Sequence, residues 1–270
     1  MREKKHPLWE KKHPRQKEWE RLQQREARLL RRRREEDGNF LEELLSDKVP
    51  QGLEQTLNKA FGKAFGLVFS KGATVIERTY SKERRRAEFR ARAETLSEDE
   101  SKKSLRSFSQ SAGLSSNAHV VFAGVEGVGL GLLGIGLPDI PLFSAVLLRS
   151  VYEIAMRFGF SYEDEEERDF ILSLIAASLR RGAAFEAADR ALNNWIDWGK
   201  RPEAPREALM EDAARALSDY LLYAKFVQGI PLVGALGGMS DSFCLNRVTR
   251  YARLKYHRRF LRQGGPAISD

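Results

Sequence analysis

The chain has 270 residues, of which 42% are hydrophobic and 31% charged, a composition that excludes a wholly disordered protein and allows a sizeable core. Its single cysteine, Cys244, excludes an intramolecular disulfide and a thiolate metal cluster and is typical of a reducing, cytoplasmic setting. The four histidines are too scattered to indicate a metal site, so we expect neither a metal nor a cofactor. Cys244 follows Phe243 in an apolar helical pattern, which predicts a buried thiol.

The formal net charge of +8 is concentrated at the two ends of the chain. Residues 1–36 hold fourteen Lys and Arg against seven Glu, a net of +7, and residues 242–270 hold seven against one acid, a net of +6. The intervening residues 37–241 therefore carry −5. Such ends are either solvated or bind a polyanion, which is an anionic membrane face or nucleic acid. The arginines predicted to make that contact are Arg31, Arg32, Arg33, Arg34, Arg250, Arg253, Arg258 and Arg259.

Residues 1–36 are predicted to form a basic, mobile helical arm. Pro7 and Pro14 prevent one continuous helix, and the sequence after them favours a helix but is dense in charge. Its large apolar residues after Pro14 are Trp19, Leu22, Leu29 and Leu30. These are too few to predict anchoring in a core, and the absence of an apolar run predicts no secretory signal.

The next segments predict an amphipathic helix followed by a charged insertion. Apolar or small residues recur every three or four positions from Leu53 to Thr79, which is one stripe of a helix. Residues 81–117 are charged and rich in serine, and they predict an insertion that is partly helix and partly loop.

Residues 120–148 are apolar, rich in glycine and broken by Pro138 and Pro141. Gly129 to Gly134 formally matches a dinucleotide-binding fingerprint, but no alternating strand precedes it, so we do not predict a cofactor loop. The glycines favour close helix packing instead. The segment is interpreted as a core hairpin of a soluble bundle, with insertion into lipid as the alternative.

The rest of the chain predicts further helices with no convincing strand period. The predicted helices cover 142–158, 161–182, 185–196, 209–224 and 242–262, with a second glycine-proline break at 229–238. The fold class is therefore all-α, a multi-helix bundle. The predicted organisation is a basic arm at 1–36, a helical domain at 37–262 that contains the insertion, and a tail at 263–270.

Polar side chains in apolar surroundings are the candidate site residues. They are Glu126, Asp139, Arg149, Glu153, Asp241, Asn246 and Arg247. A buried charge needs a partner, and Arg149 can pair either with Glu153, four residues on, or with Asp139, in an ion pair that fixes helix register. The alternatives are a pocket for a lipid headgroup or small ligand, and acid/base catalysis by the carboxylates. We assign no catalytic residue.

Several of these segments together resemble the EcsC family of bacterial proteins. The resembling segments are GIGLPDIP at 134–141, FGF at 158–160, IPLVGA at 230–235 and Asn246-Arg247. The resemblance covers roughly residues 40–262. It implies an all-helical bacterial fold and, because the family is named from an operon that encodes a transporter, a membrane transporter subunit as a partner.

These observations predict a cytoplasmic accessory or binding protein, peripheral at the inner membrane, whose basic ends contact anionic lipid. The first alternative is a hydrolase-type enzyme that uses buried carboxylates. The second is a nucleic-acid-binding protein that acts through the basic arm, and we rank it last because no nucleic-acid-binding motif occurs in the sequence.

Overall fold

The computed structural model describes residues 14–35, 52–77, 139–227 and 239–263, which form seven α-helices with no strand among them. The helices are α1 (Pro14–Arg34), α2 (Leu53–Glu77), α3 (Asp139–Arg157), α4 (Glu165–Leu179), α5 (Gly182–Trp198), α6 (Arg206–Val227) and α7 (Met239–Arg262). The predicted all-α bundle is confirmed. Within the described ranges, none of the helices is both long enough and apolar enough to span a bilayer.

Helices α4 and α7 form the centre of the bundle. Helix α7 contacts α1, α3, α4, α5 and α6, while α4 packs on α5 and α6, and α2 packs on α3 and α6. Almost every side chain of α4 from Phe170 to Leu179 is buried, as expected of a helix that has neighbours on several sides. Cys244 of α7 is fully buried, which confirms the prediction for that thiol.

The amphipathic pattern of α2 places one stripe against its neighbours. Leu57, Phe61, Phe65 and Val68 are buried, and the ring of Phe61 meets that of Phe143 in α3 edge-to-face at 6.5 Å. This confirms the predicted helix, of which the structure describes the part up to Glu77.

Helix α4 begins at Glu165, four residues after the predicted start at residue 161. The N-cap is Asp164, which makes no side-chain capping hydrogen bond. Ser161 Oγ accepts a hydrogen bond from the backbone N–H of Glu163 at 3.3 Å, which is a local turn before the helix. The acids in the first turn complement the helix dipole as expected.

Helix α1 packs on α5 and α7, which differs from the expectation of a mobile arm. Its one fully buried apolar side chain is Leu22, and most of its remaining attachment is polar. Glu26 forms ion pairs with Lys255 and Arg258, and the Arg258 guanidinium lies 4.9 Å from the ring centre of Trp19. Counting apolar residues alone missed this attachment, because charged and aromatic side chains provide it.

Some predictions fall on residues that the structure does not describe. These are residues 1–13, the insertion at 81–117, Glu126, the apolar stretch up to residue 138, the break at 229–238 and the tail after residue 263. Helices α3 and α7, which follow the two glycine-proline stretches, do pack on each other.

Candidate anion-binding site

A cavity of about 890 Å³ lies between α1 and α7. Phe158, just after α3, and Tyr220 of α6 complete its wall. Helix α1 contributes Glu18, Arg25, Arg28, Leu29, Arg32 and Arg33. Helix α7 contributes Phe243, Asn246, Arg247, Arg250, Tyr251, Arg253, Leu254 and His257.

The charge of this lining is unbalanced. Among the described residues that line the cavity there are seven arginines and one carboxylate, Glu18. The arginines come from both of the packed helices. Apart from Glu18 of α1, the described lining contains no acidic side chain that could neutralise them. Charges of one sign that line a concave surface concentrate the electrostatic potential and attract ions of the opposite sign.

Helical periodicity brings these arginines onto one face of each helix. Arg25, Arg28 and Arg32 are three and four residues apart in α1, so their side chains project from the same side. Arg247 and Arg250 of α7 are likewise three residues apart. The packing of α1 on α7 then directs the two sets toward one space.

Two of the arginines are held in place by the protein itself. Arg247 donates from Nε to the carbonyl of Ser178 and from Nη2 to that of Arg180, both at 3.0 Å. These carbonyls lie at the end of α4, where a helix leaves acceptors without partners and favours a positive charge. Arg25 donates to Glu18 Oε1 at 3.0 Å.

Three other arginines of the lining are available to a ligand. Arg32 and Arg250 are exposed and form no ion pair or hydrogen bond with any residue that the structure describes. The Nε of Arg253 is buried and has no hydrogen-bond partner among the described residues. Burial, followed by the nearby charge of Arg250, lowers the pKa of Arg253, so this guanidinium is in a less favourable environment than water provides.

His257, at the inner end of the lining, is uncharged. Its Nε2 lies 4.0 Å from Glu18, a contact that would favour the protonated ring. Burial outweighs that contact and, with the charge of Arg25, lowers the pKa of His257 to about 3. The neutral ring stacks on Phe158 with the ring centres 5.9 Å apart and forms part of the apolar wall.

Of the predicted polar cluster, the structure describes the side chains of four residues: Arg149, Glu153, Asn246 and Arg247. Arg149 Nε donates to Glu153 at 3.2 Å within α3, which is the predicted ion pair, and neither residue lines the cavity. Asn246 and Arg247 do line it. The backbones of Asp139 and Asp241 lie in the first turns of α3 and α7, and their side chains are outside what the structure describes, as is Glu126 altogether.

Four of the arginines predicted to contact a polyanion line the cavity: Arg32, Arg33, Arg250 and Arg253. Arg31 is exposed beside them on α1. Arg34 pairs with Glu186 of α5 at 2.6 Å, although its side chain stays largely exposed.

The structure differs from the expectation for Arg258 and Arg259, which are engaged inside the bundle. Arg258 pairs with Asp197 and Glu26, both at 2.5 Å. Arg259 donates to Glu167 at 2.7 Å. The acids that pair with them are distant in sequence, so a charge count along the chain could not reveal these contacts.

Glu167 is part of a closed polar group in the core. It accepts hydrogen bonds from Arg259 and from the hydroxyl of Tyr256, and the Arg259 guanidinium packs on Phe160 and Phe170. Burial raises the pKa of Glu167, while Arg259 and Tyr256 oppose that shift. The carboxylate is buried and does not line the cavity between α1 and α7, an arrangement that favours a structural role over acid/base catalysis.

Sequence reasoning did not single out Arg25 and Arg28 as site residues. Their spacing with Arg32 could have identified them, because it places three arginines on one face of a helix, more than that helix needs to stay soluble. The described residues include no group of histidine, cysteine or acidic side chains placed to hold a metal ion.

The sequence of the chain is similar to those of known proteins. The sequence profile of the EcsC protein family matches residues 13–261, a range that begins at α1 rather than near residue 40. The chain is 27% identical over 150 residues to Protein EcsC of Bacillus subtilis strain 168, an alignment that covers 52% of this chain and 58% of that relative. No solved structure matches the chain.

Proposed function

This chain belongs to the EcsC protein family, and on that basis we propose that it is a peripheral accessory protein that binds the anionic inner face of a bacterial membrane. The observation that carries the proposal is the concentration of arginines where α1 packs on α7. The surface that makes the contact, which we call the basic face, consists of Arg28, Arg31, Arg32 and Arg250 together with Phe243.

The basic residues of this face are accessible. All four arginines are exposed, and Arg32 and Arg250 have no acidic partner among the residues that the structure describes. Each basic side chain near an anionic leaflet contributes about 1 kcal/mol, so four of them support reversible attachment.

An exposed aromatic side chain lies beside these charges. Phe243 is 52% exposed and belongs to the lining of the same cavity as Arg250. An apolar ring next to basic groups is typical of surfaces that enter the headgroup region of a membrane, where the ring leaves water and the charges stay hydrated.

Sedimentation with vesicles tests the proposal. We expect the protein to sediment with phosphatidylglycerol vesicles at low salt, to be released at high salt, and to stay in solution with phosphatidylcholine vesicles, since the attraction is electrostatic and screened by ions. The triple variant Arg28→Gln/Arg31→Gln/Arg32→Gln should lose most of this binding while keeping the helical circular-dichroism signal.

The matched control removes the same number of charges elsewhere. Lys59 and Lys63 of α2 and Lys200 after α5 are exposed and lie outside the basic face. Their triple substitution by Gln should leave vesicle binding nearly unchanged. Equal loss in both triple variants would mean that net charge alone decides binding, and equal binding to both lipids would contradict the proposal.

Two further measurements test the nucleic-acid alternative and the protein partner. Tighter binding to duplex DNA than to the anionic vesicles, lost in the arginine variant alone, would favour the nucleic-acid alternative. The transporter subunit implied by the family resemblance belongs to the proposal as a protein partner. Its test is retention of the chain by membranes that contain the transporter over membranes that lack it.

A further inference from the structure

We propose that the cavity between α1 and α7 is a binding site for a compact, multiply phosphorylated group, carried by a lipid headgroup or by a soluble molecule. The inference rests on the proposed function in that the basic face presents the site, and it adds the class of ligand. A membrane-binding surface needs only positive charge, whereas this cavity is concave and contains a buried hydrogen-bond donor, the Nε–H of Arg253.

Positive charge dominates the lining of the cavity. Helices α1 and α7 contribute seven arginines to the lining of a partly open cavity, where the described residues include one carboxylate, and Arg25 already pairs with that carboxylate. Like charges repel across such a space, and the repulsion adds up over the guanidinium groups that share it. A ligand with several negative charges removes the repulsion, while a single carboxylate would leave most of it.

Arg253 of α7 belongs to the lining of the cavity. Its Nε–H is buried without an acceptor among the described residues, beside the like charge of Arg250. A buried donor with no partner lowers stability, and an anion bound in the cavity would give it an acceptor once the side chain turns toward that space. The planar guanidinium donates two parallel hydrogen bonds, a geometry that matches phosphate oxygens.

The size and composition of the cavity suit a small ligand. A volume of about 890 Å³ lies within the range of roughly 300–1,000 Å³ that is usual for small-molecule sites. Phe158, Tyr251, Leu254 and the neutral ring of His257 provide apolar wall beside the arginines. This combination accepts a phosphorylated group together with the carbon skeleton that carries it.

Calorimetric titration of the full chain with tripolyphosphate tests the inference. We expect saturable binding of one tripolyphosphate per chain and a rise in Tm, because a ligand that binds the folded state stabilises it. Arg253→Gln and Arg250→Gln should each weaken binding by about tenfold, the effect of losing one charge-assisted contact. Arg253→Gln without ligand should melt at or above the wild-type temperature, since it removes a half-buried charge whose Nε–H has no acceptor among the described residues.

Arg31→Gln is the matched control. Arg31 is an exposed arginine of the same helix that does not line the cavity, so its removal should leave the affinity for tripolyphosphate within about twofold of wild type. Binding without a fixed stoichiometry, or equal weakening by Arg31→Gln and Arg250→Gln, would overturn the inference. Arg250 is exposed, so its variant keeps the test valid if Arg253→Gln fails to fold.

The two proposals fail separately. If phosphatidylglycerol vesicles bind wild type and Arg253→Gln equally and tripolyphosphate does not bind, the membrane proposal stands and the cavity inference is wrong. If tripolyphosphate binds one to one and vesicles do not bind, the inference stands with a soluble ligand and the membrane proposal is wrong. Competition between tripolyphosphate and vesicles would support the inference with a lipid headgroup as the ligand.

Discussion

Lys255 Nζ of α7 lies 2.9 Å from Glu26 Oε1 of α1, an ion pair with almost no access to water. The lysine side chain is 1% exposed and also contacts Asp189 at 2.8 Å and Asn193 Oδ1 at 2.7 Å. A charge removed from water requires such a full set of partners. The contact therefore fixes where α1 lies on the bundle, and with it the spacing of the two arginine sets.

Glu26→Gln should loosen α1 without unfolding the bundle. The substitution weakens the pairs with Lys255 and Arg258, which keep their other acceptors, so we expect a loss of about 2 kcal/mol in the free energy of unfolding by urea. Hydrogen exchange should quicken most in α1. Glu35→Gln, an exposed acid just after α1, removes the same charge and should change neither quantity; an equal effect would contradict the assignment.

Glu167 and Arg259 should behave as a coupled pair. Glu167→Gln leaves a buried guanidinium without its counter-charge, so we expect a loss of about 3–5 kcal/mol. The double variant Glu167→Leu/Arg259→Met removes both charges and should recover at least half of that loss, because apolar residues of similar volume often replace a buried pair. Urea unfolding of the single and double variants measures the coupling. Additive losses would show that the two side chains act independently.

Asp219 of α6 should make the protein less stable as pH rises. Burial, followed by the charge of Glu54, raises its pKa to about 6, and one carboxylate oxygen is buried without a hydrogen-bond partner among the described residues. Arg180 and Arg215 oppose the shift, and Asp212 adds to it.

The folded state therefore holds a proton that the unfolded state releases between about pH 4 and pH 6, and stability from this group is lost over that window. Asp219→Asn should stabilise the protein by about 2 kcal/mol at neutral pH and by little at about pH 4. Urea unfolding at several pH values tests this, and a gain that is the same at every pH would contradict it.

His257 should make the protein less stable as pH falls, which is the opposite of the pH dependence expected from Asp219. Its pKa of about 3 in the folded state lies below the ordinary histidine value of 6.5, so the unfolded state binds the additional proton. Stability from His257 is complete above about pH 6.5 and is lost as pH falls toward 3.

Between about pH 8 and about pH 5, the free energy of unfolding of the His257→Gln variant should fall by about 2 kcal/mol less than that of the wild type. Urea unfolding at both pH values measures the two decreases. Parallel pH profiles of the two proteins would show that His257 does not titrate in this way.

Local periodicity was sufficient to predict most of the helices. The stripe of α2 and the pairing of Arg149 with Glu153 depend on neighbours within one helix, and both predictions are confirmed. Helix periodicity alone also placed the start of the last helix within three residues, at Met239 instead of Ser242.

Long-range polar contacts could not be predicted in the same way. Attachment of α1 depends on Glu26, and burial of Arg258 and Arg259 depends on Asp197 and Glu167, which lie far away in sequence. Such pairs follow from the packing of helices rather than from any pattern within one of them. The candidate site was therefore divided in the prediction, with Arg247 in a polar cluster and Arg250 in a basic end.

Because Cys244 is buried, chemical modification of its thiol measures local opening of the protein. Since it is the chain's sole sulfhydryl and lies within the central helix, an alkylating reagent reaches it only when α7 separates locally from its neighbours. Intact-mass spectrometry of the unaltered protein, with and without a bound polyanion, would thus report how firmly that helix is held.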